Sequence, residues 1–134
     1  MIVYKEFTMD GMPRVREIYR AEGWLAYLKD DAKLDRAFRN SLYILGAYDG
    51  EKLIGFVRCV GDGEHILLVQ DLIVDRAYQK QGIGTKLFKS VWEQYAQVRM
   101  FQVVTDISDP VDNHFYQSFG MKKLEEGDMV SYFR

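Results

Sequence analysis

The sequence predicts an α+β fold, an α/β sandwich in which helices flank a central sheet. Three observations predict it. The apolar run Ile66–Val74, interrupted only by Gln70 and Asp71, is typical of a buried strand. The segment that follows carries apolar residues at the spacing of one buried helix face, namely Leu87, Phe88, Val91, Trp92 and Tyr95. The dipeptide Asp49-Gly50, between two further apolar runs, indicates a β-hairpin.

The first half of the chain contributes one strand, two helices and a hairpin. A strand is predicted over residues 2–7, and residues 10–13 open a helix that turns Val15, Ile18 and Tyr19 to one side. Asp31 is expected to cap a second helix. That helix would point Leu34, Ala37 and Phe38 inward. The hairpin strands follow at residues 42–47 and 53–60.

The second half begins with the strand at Ile66–Val74 and the helix after it. A strand is predicted over residues 100–105. Asp109 as cap and Pro110 at the first position mark another helix, which Gly120 would end. Its inward residues would be Val111, Phe115 and Phe119. A closing hairpin is expected from residues 121–124 and 129–133, which gives the order β-α-α-β-β-β-α-β-α-β-β.

Composition indicates a single domain over residues 1–134 and excludes several classes of protein. Apolar residues make up 48%, charged residues 28%, and the net charge is −2, so no basic surface for nucleic acid is expected. The one cysteine, Cys59, excludes an internal disulfide, and we expect it to be a core thiol. His65 and His114 lack companion ligands for a metal. Without a membrane span or signal peptide, the expected location is cytoplasmic.

The turn between the long strand and its helix has the spacing Gln79-x-x-Gly82-x-Gly84. Glycines remove side chains from a first helical turn, where unpaired backbone N–H groups point outward and attract anions. A dinucleotide fingerprint would need a third glycine where Leu87 stands, and a Walker loop is absent. A glycine-rich turn with no ligand is the alternative.

This segment resembles the pyrophosphate-binding motif of the GNAT superfamily, the acyl-CoA-dependent N-acetyltransferases. The family signature, Gln/Arg-x-x-Gly-x-Gly/Ala between an apolar strand and a helix, is met, and the element order matches over essentially the whole chain. The resemblance implies a mixed, mostly antiparallel central sheet flanked by about four helices. It also implies transfer of an acetyl group from acetyl-CoA to a primary amine of a small molecule, by direct attack in a ternary complex.

The resemblance also assigns cofactor-binding residues. The main chain of Leu72, Ile73 and Val74 would pair with the pantetheine arm, and one N–H there would stabilise the oxyanion. The pyrophosphate would meet the turn and its side chains, which are Gln79, Lys80, Gln81, Gly82, Ile83, Gly84 and Thr85. The side chains of residues 79–81 are equally well explained as solvated turn residues. Asp109 stands where many relatives have an Asn that holds the pantetheine arm, and Asn113 is a candidate substitute.

Tyr116 is the expected catalytic acid, because the family carries a Tyr four residues before a Gly, as Tyr116 and Gly120 are here. It would give a proton to the departing thiolate. The alternative is an aromatic ring packed beneath the cofactor.

The general base is not determined. Relatives that acetylate protein N-termini have a Glu twelve residues before the Tyr, where this chain has Val104. Asp71, Glu64, Asp62 or a water remain. Asp71 is the first candidate because a carboxylate inside an apolar strand needs a partner, and a structural anchor is its alternative role.

Trp24 and Tyr27 would border the acceptor cleft or else close the core. A different function also fits the sequence: a non-catalytic acyl-CoA-binding regulatory module. An interaction protein whose turn binds nothing is a third. The oligomeric state, including a homodimer, and the identity of the amine stay open.

Overall fold

A computed structural model describes all 134 residues, and the chain divides into two compact units, Met1–Val103 and Val104–Arg134. The first unit contains a five-stranded sheet in the order β1-β2-β3-β4-β5. Its strands are β1 (Ile2–Glu6), β2 (Tyr43–Asp49), β3 (Lys52–Gly61), β4 (Ile66–Val74) and β5 (Met100–Val103). Neighbours from β1 to β4 run antiparallel, whereas β5 runs parallel to β4. The predicted mixed, mostly antiparallel sheet is therefore confirmed.

Three helices belong to the first unit: α1 (Met12–Glu22), α2 (Asp31–Arg39) and α3 (Ile83–Gln94). Pro13 lies in the first turn of α1, and Gly23 ends the helix with a left-handed φ of 78°. The cap of α2 is Asp30, whose carboxylate accepts the N–H of Lys33 at 3.0 Å. The prediction of Asp31 as cap is wrong by one residue, because adjacent acids satisfy the same sequence pattern. No helix in the chain has both the length and the apolar character needed to cross a bilayer.

The two faces of the sheet bury different side chains. Helices α1 and α2 share a hydrophobic cluster with the sheet that includes Tyr19, Phe38, Phe56 and Ile73. Because side chains alternate along a strand, Val57 and Cys59 point to the opposite face. Both are fully buried, and α3 contacts the same strands. Burial raises the pKa of the Cys59 thiol to about 12, so the prediction of a core thiol is confirmed.

The second unit contains helix α4 (Pro110–Gln117). The Asp109 carboxylate caps it as predicted, accepting the N–H groups of Val111 and Asp112, both at 3.0 Å. The expectation that Val111 faces inward is wrong, since it is 75% exposed. Only the later turns bring aromatic rings together in this unit, where Phe115 packs on Phe119 with ring centroids 5.3 Å apart.

The closing hairpin is also predicted wrongly. No strand forms over residues 121–124 or 129–133, and a short 3-10 helix, Leu124–Gly127, lies between them. Local hydrogen bonds explain the difference. The Glu126 carboxylate accepts the N–H of Lys123 at 3.0 Å, and Met129 donates its N–H to the carbonyl of Leu124 at 3.0 Å. These bonds close the segment on itself, with Asp128 in the left-handed region at φ 58°.

Candidate functional site

Strand β4 has a free edge beyond its fourth residue. It pairs with β5 only from Ile66 opposite Met100 to Val69 opposite Val103, although it continues to Val74 alongside β3. The register with β3 slips by one residue, and Gln70 is the extra residue of this β-bulge. The main chain of Leu72, Ile73 and Val74 therefore has no strand partner on its β5 side, as an amide-bearing ligand would require.

The turn after β4 is fixed to the rest of the first unit by charged groups. Asp75 accepts the N–H of Ala77 at 2.9 Å and pairs with Arg14 at 2.8 Å. Arg14 also donates to the carbonyl of Leu53 at 3.0 Å. Partial burial alone would raise the pKa of Asp75, but the Ala77 and Arg14 contacts outweigh it and lower the pKa. Asp75 is thus an ionised anchor for the start of the turn.

Gln79 ties the turn back to the strand. Its amide donates to the carbonyl of Val74 and to the carboxylate of Glu22, both at 2.9 Å. The side chain that the sequence assigns to the pyrophosphate is therefore engaged inside the protein. These contacts favour the structural role for the Gln79 side chain.

The start of α3 presents unpaired backbone donors. The first helical N–H to pair is that of Lys86, which donates to the carbonyl of Gly82 at 3.0 Å. The N–H groups from Gly82 to Thr85 precede it and have no acceptor within the helix. Lys80 and Gly82 both have left-handed backbones, with φ 64° and 80°. Such backbone, with N–H groups turned outward at a helix N-terminus, makes a concave anion-binding surface.

The two glycines of this turn are needed for different reasons. Gly82 has space around it, but its φ of 80° favours glycine. Gly84 has no such constraint. A Cβ there would lie 3.8 Å from a methyl group of Val74, an ordinary contact. No atom of the protein therefore demands glycine at position 84, although glycine in a helix costs about 0.5–1 kcal/mol relative to alanine. Glycine at this position leaves the N–H groups of the turn open to approach from outside.

The remaining residues of the predicted phosphate segment divide into two groups. The side chains of Lys80, Gln81 and Thr85 are exposed. Ile83 is buried in the core at 4% exposure, so only its main chain is available to a ligand. Its side chain fixes the first turn of α3 against the sheet.

Asp71 is the centre of a buried polar network. The residue is 2% exposed. Its carboxylate accepts the hydroxyls of Tyr19 and Tyr27, both at 2.8 Å, and the Nε–H of Arg58 at 2.6 Å. The Arg58 side chain is itself only 5% exposed and lies 4.9 Å above the ring of Phe38. Protonating Asp71 would leave the buried charge of Arg58 uncompensated, so these contacts favour the anchor role over the base role.

Trp24 and Tyr27, the predicted acceptor residues, both stack against one buried ring. The ring of Tyr19 lies 4.6 Å from that of Tyr27 and 5.8 Å from that of Trp24. Trp24 is 37% exposed and Tyr27 is half-buried. The hydroxyl of Tyr27 accepts the side-chain amide of Gln70 at 2.9 Å, which connects this aromatic group to the bulge in β4.

Tyr116 lies in α4, in the second unit. Burial raises the pKa of Tyr116 to about 12, with Asp112 and Asp109 contributing in the same direction. The Asn113 amide, the other predicted site group of this unit, donates to the carbonyls of Asp109 at 2.6 Å and Asp106 at 3.0 Å. These bonds hold the loop before α4, so the Asn113 side chain has a structural role.

Comparison with known proteins gives one family. A family model described as "Acetyltransferase (GNAT) family" matches residues 9–121. The chain is 26% identical over 134 residues to an uncharacterized N-acetyltransferase ycf52-like of Prochlorococcus marinus, a match that covers 97% of this chain and 73% of that protein.

Solved structures agree. A GNAT family acetyltransferase of Streptococcus pneumoniae is 33% identical and has a TM-score of 0.85. The match covers 100% of this chain and 97% of the other. The aminoglycoside N-acetyltransferase AAC(6')-Iy, solved with a bisubstrate analogue of CoA and acetylneamine, has the same fold. Its TM-score is 0.74 at 17% identity, covering 100% and 97% of the two chains.

Proposed function

The chain belongs to the GNAT family of acetyltransferases, and on this premise we propose that it transfers the acetyl group of acetyl-CoA to a primary amine of a small molecule. The observation that carries the proposal is the start of α3. Its N–H groups from Gly82 to Thr85 precede the first paired one, and Gly84 keeps the approach to them open without any need within the protein.

The residues of the first unit fit the groups of coenzyme A. The diphosphate would accept hydrogen bonds from the backbone between Gln81 and Thr85, with the exposed Lys80 as counter-charge. The free edge of β4 at Leu72, Ile73 and Val74 would pair with the amides of the pantetheine arm as an added strand does. The proposed contacts to the diphosphate and to the pantetheine arm are both made by backbone groups. This explains why the family motif specifies few side chains.

Acetyl-CoA supplies the acetyl group as a reactive thioester. An N–H on the free edge of β4, near Val74, would donate a hydrogen bond to the carbonyl oxygen as it gains charge. Loss of one such donor typically costs about 2.7–4 kcal/mol. The amine of the acceptor would add directly to the thioester carbonyl carbon, and the C–S bond would break as the oxyanion collapses to the amide. The bisubstrate analogue bound by AAC(6')-Iy joins both substrates in one molecule, which supports a ternary complex.

Tyr116 would hold its proton for the departing sulfur. With a pKa of about 12, the phenol stays protonated through the whole physiological range. Complete transfer to a thiolate whose conjugate acid has a pKa near 8.5 is uphill by roughly 3.5 units, or about 5 kcal/mol. We therefore assign Tyr116 a hydrogen bond to the sulfur as its negative charge develops. The nitrogen would lose one proton to solvent as the amide forms, and the released thiolate would take one proton from solvent, so the transfer balances.

The amine must reach the thioester neutral. For an alkylamine of pKa near 10.4 this costs about 4.6 kcal/mol at pH 7. Asp71 is committed to Arg58. Asp62 accepts the N–H groups of Glu64, His65 and Ile66, bonds that lower its pKa and make it a weak base. Glu64 and loss of the proton to solvent are the routes that remain, and the second requires no side-chain base.

The test is thiol release from acetyl-CoA with a panel of amines: phenethylamine, spermidine, kanamycin and aniline. We expect at least one amine to be acetylated, and Tyr116→Phe to lower kcat by about 10²–10³-fold, the range for loss of one hydrogen-bond donor to a developing charge, with the dissociation constant of acetyl-CoA unchanged. Tight binding of acetyl-CoA without acetylation of any amine would support the acyl-CoA-binding module instead. If acetyl-CoA did not bind at all, it would not raise the melting temperature, and the interaction protein would be supported. A bound ligand at 100 times its dissociation constant adds about 2.7 kcal/mol to the free energy of unfolding.

A further inference from the structure

The hydroxyl of Tyr27 has one hydrogen-bonding position that the protein leaves open. Its proton goes to Asp71 at 2.8 Å, since an ionised carboxylate accepts and cannot donate. Its oxygen then accepts the amide N–H of Gln70 at 2.9 Å. A phenolic oxygen has a second lone pair. Any further hydrogen bond to this hydroxyl must therefore be one that the oxygen accepts.

The network beneath the hydroxyl fixes this polarity. Asp71 is held by Arg58 at 2.6 Å and by the buried hydroxyl of Tyr19 at 2.8 Å. The ring of Tyr27 stacks on that of Tyr19 with an interplanar angle of 21°. These contacts hold the carboxylate and the ring in place, so the proton of Tyr27 is directed toward Asp71.

The hydroxyl also lies where the free edge of β4 begins. Val69 is the last β4 residue paired with β5, and Gln70, which donates to Tyr27, is the next residue. Gln70 is exposed, and because its amide N–H faces Tyr27, its amide oxygen is a second acceptor. Two oxygen acceptors therefore stand beside the edge that we assign to the thioester arm.

We propose that Tyr27 and Gln70 bind the reacting nitrogen of the acceptor, and that this acceptor is a primary alkylamine arriving as its ammonium ion. The proposal rests on the proposed function. An alkylammonium carries three N–H donors and a positive charge, which match two neighbouring oxygens, and hydrogen bonds to charged donors are the stronger ones. Asp71 is a positioning residue, which acts through Tyr27 by committing its proton.

Burial and the neighbouring Asp71 carboxylate raise the pKa of Tyr27, so the phenol stays neutral in the assay range. Tyr27 is therefore a binding group and not the base that deprotonates the amine. Its removal should change substrate affinity and leave the pH dependence of kcat as it is.

The experiment compares Tyr27→Phe with Tyr19→Phe. Both changes remove one hydroxyl from Asp71 at the same distance, but Tyr19 is fully buried and cannot reach a substrate. For the best alkylamine of the panel, we expect Tyr27→Phe to raise KM by roughly 10- to 100-fold, the range for a bond to a charged group. Tyr19→Phe should change KM by less than about threefold. The dissociation constant of acetyl-CoA should stay constant in both variants.

Gln70→Leu is a second variant that does not depend on the buried network, since Gln70 is exposed. It should also raise KM for the alkylamine, by about 3- to 10-fold. Equal effects of Tyr27→Phe and Tyr19→Phe, or an unchanged KM in both Tyr27→Phe and Gln70→Leu, would overturn the inference. Acetylation of aniline alone would overturn it too. If the wild-type protein acetylated no amine, the proposed function itself would fail, which is a different result.

Discussion

At position 84, helix stability and binding of a diphosphate would favour different residues. The helix would be better served by a residue with a Cβ, and space for one exists beside Val74. A diphosphate on the N–H groups of this turn would be obstructed by anything larger than a methyl group.

Gly84→Glu should therefore have opposite effects on folding and on binding. A carboxylate at a helix N-terminus is favourable by about 0.3–1 kcal/mol, so urea unfolding should show equal or greater stability. Acetyl-CoA affinity, measured by titration calorimetry, should fall at least tenfold through steric and charge repulsion. Gly84→Ala is the control, and it should bind normally because alanine satisfies the family signature. Normal binding by Gly84→Glu would contradict the assignment of the phosphate site.

The Arg58–Asp71 pair predicts a large stability effect from a single residue. Arg58→Met removes the cation and leaves a buried carboxylate, which typically costs 3–5 kcal/mol. Urea unfolding measures it. Arg16→Met is the matched control, since Arg16 pairs with Asp31 and Asp35, both exposed, and should cost about 0–1 kcal/mol. Similar losses in the two variants would mean that the buried pair is less important than its geometry indicates.

Sequence identified Asp71 as unusual but not its partners. A carboxylate in an apolar strand signals a need for neutralisation, yet Arg58 and Tyr19 are 13 and 52 residues away. Only the register of β3 against β4, with its bulge, decides that Arg58 faces Asp71. Nothing in local sequence fixes a register of this kind. The single signal was Arg58 itself, a charged residue in an otherwise apolar strand.

Among elements, helix starts were predicted best because their signals are local. Asp109 and Pro110 mark α4 in sequence and in structure alike. The residues that were misplaced depend on distant packing. Val111 has the right helical phase to be buried, but exposure depends on what covers it. The predicted closing hairpin has suitable apolar residues, but hydrogen bonds of Lys123 and Met129 satisfy that backbone locally.

The cap of α4 gives a prediction at this scale. Asp109→Ala should lower the stability of the protein by about 0.5–2 kcal/mol, measured by chemical unfolding, and leave the dissociation constant of acetyl-CoA unchanged. Asp109→Asn should restore stability, since asparagine caps equally well. A loss of acetyl-CoA affinity in Asp109→Ala without loss of stability would instead support the cofactor role that many relatives give this position.

At the scale of the whole molecule, element order and one motif were enough to predict the family. Five strands and the helices α1 to α4 lie in the predicted order, because the periodicity of apolar residues is a strong signal over long elements. The contacts of the candidate site could be predicted only in part. Its main-chain groups follow from the motif, whereas the polar network around Asp71 depends on contacts between distant segments.

The pH dependence of turnover follows from the charge states of the whole enzyme. With an alkylamine, kcat/KM should rise with pH as the amine loses its proton. Tyr116 is active when protonated, and since its pKa is about 12, the descending limb it causes should lie above the usual assay range. Tyr116→Phe should therefore lower the curve without changing its shape up to about pH 10, the value near which a free phenol titrates. A descending limb near neutral pH that Tyr116→Phe abolishes would contradict this.

The extra residue in β4 changes which side of the sheet the odd-numbered residues of the strand face. Val69 lies opposite Cys59, whereas Asp71 lies opposite Arg58. Cys59 and Arg58 are consecutive and so project to opposite sides of the sheet. The odd-numbered residues Leu67 and Val69 therefore fill one interior, and the odd-numbered Asp71 and Ile73 fill the other. Without the bulge, regular alternation through the same residues would turn the carboxylate away from its arginine, into the hydrophobic side that holds Cys59.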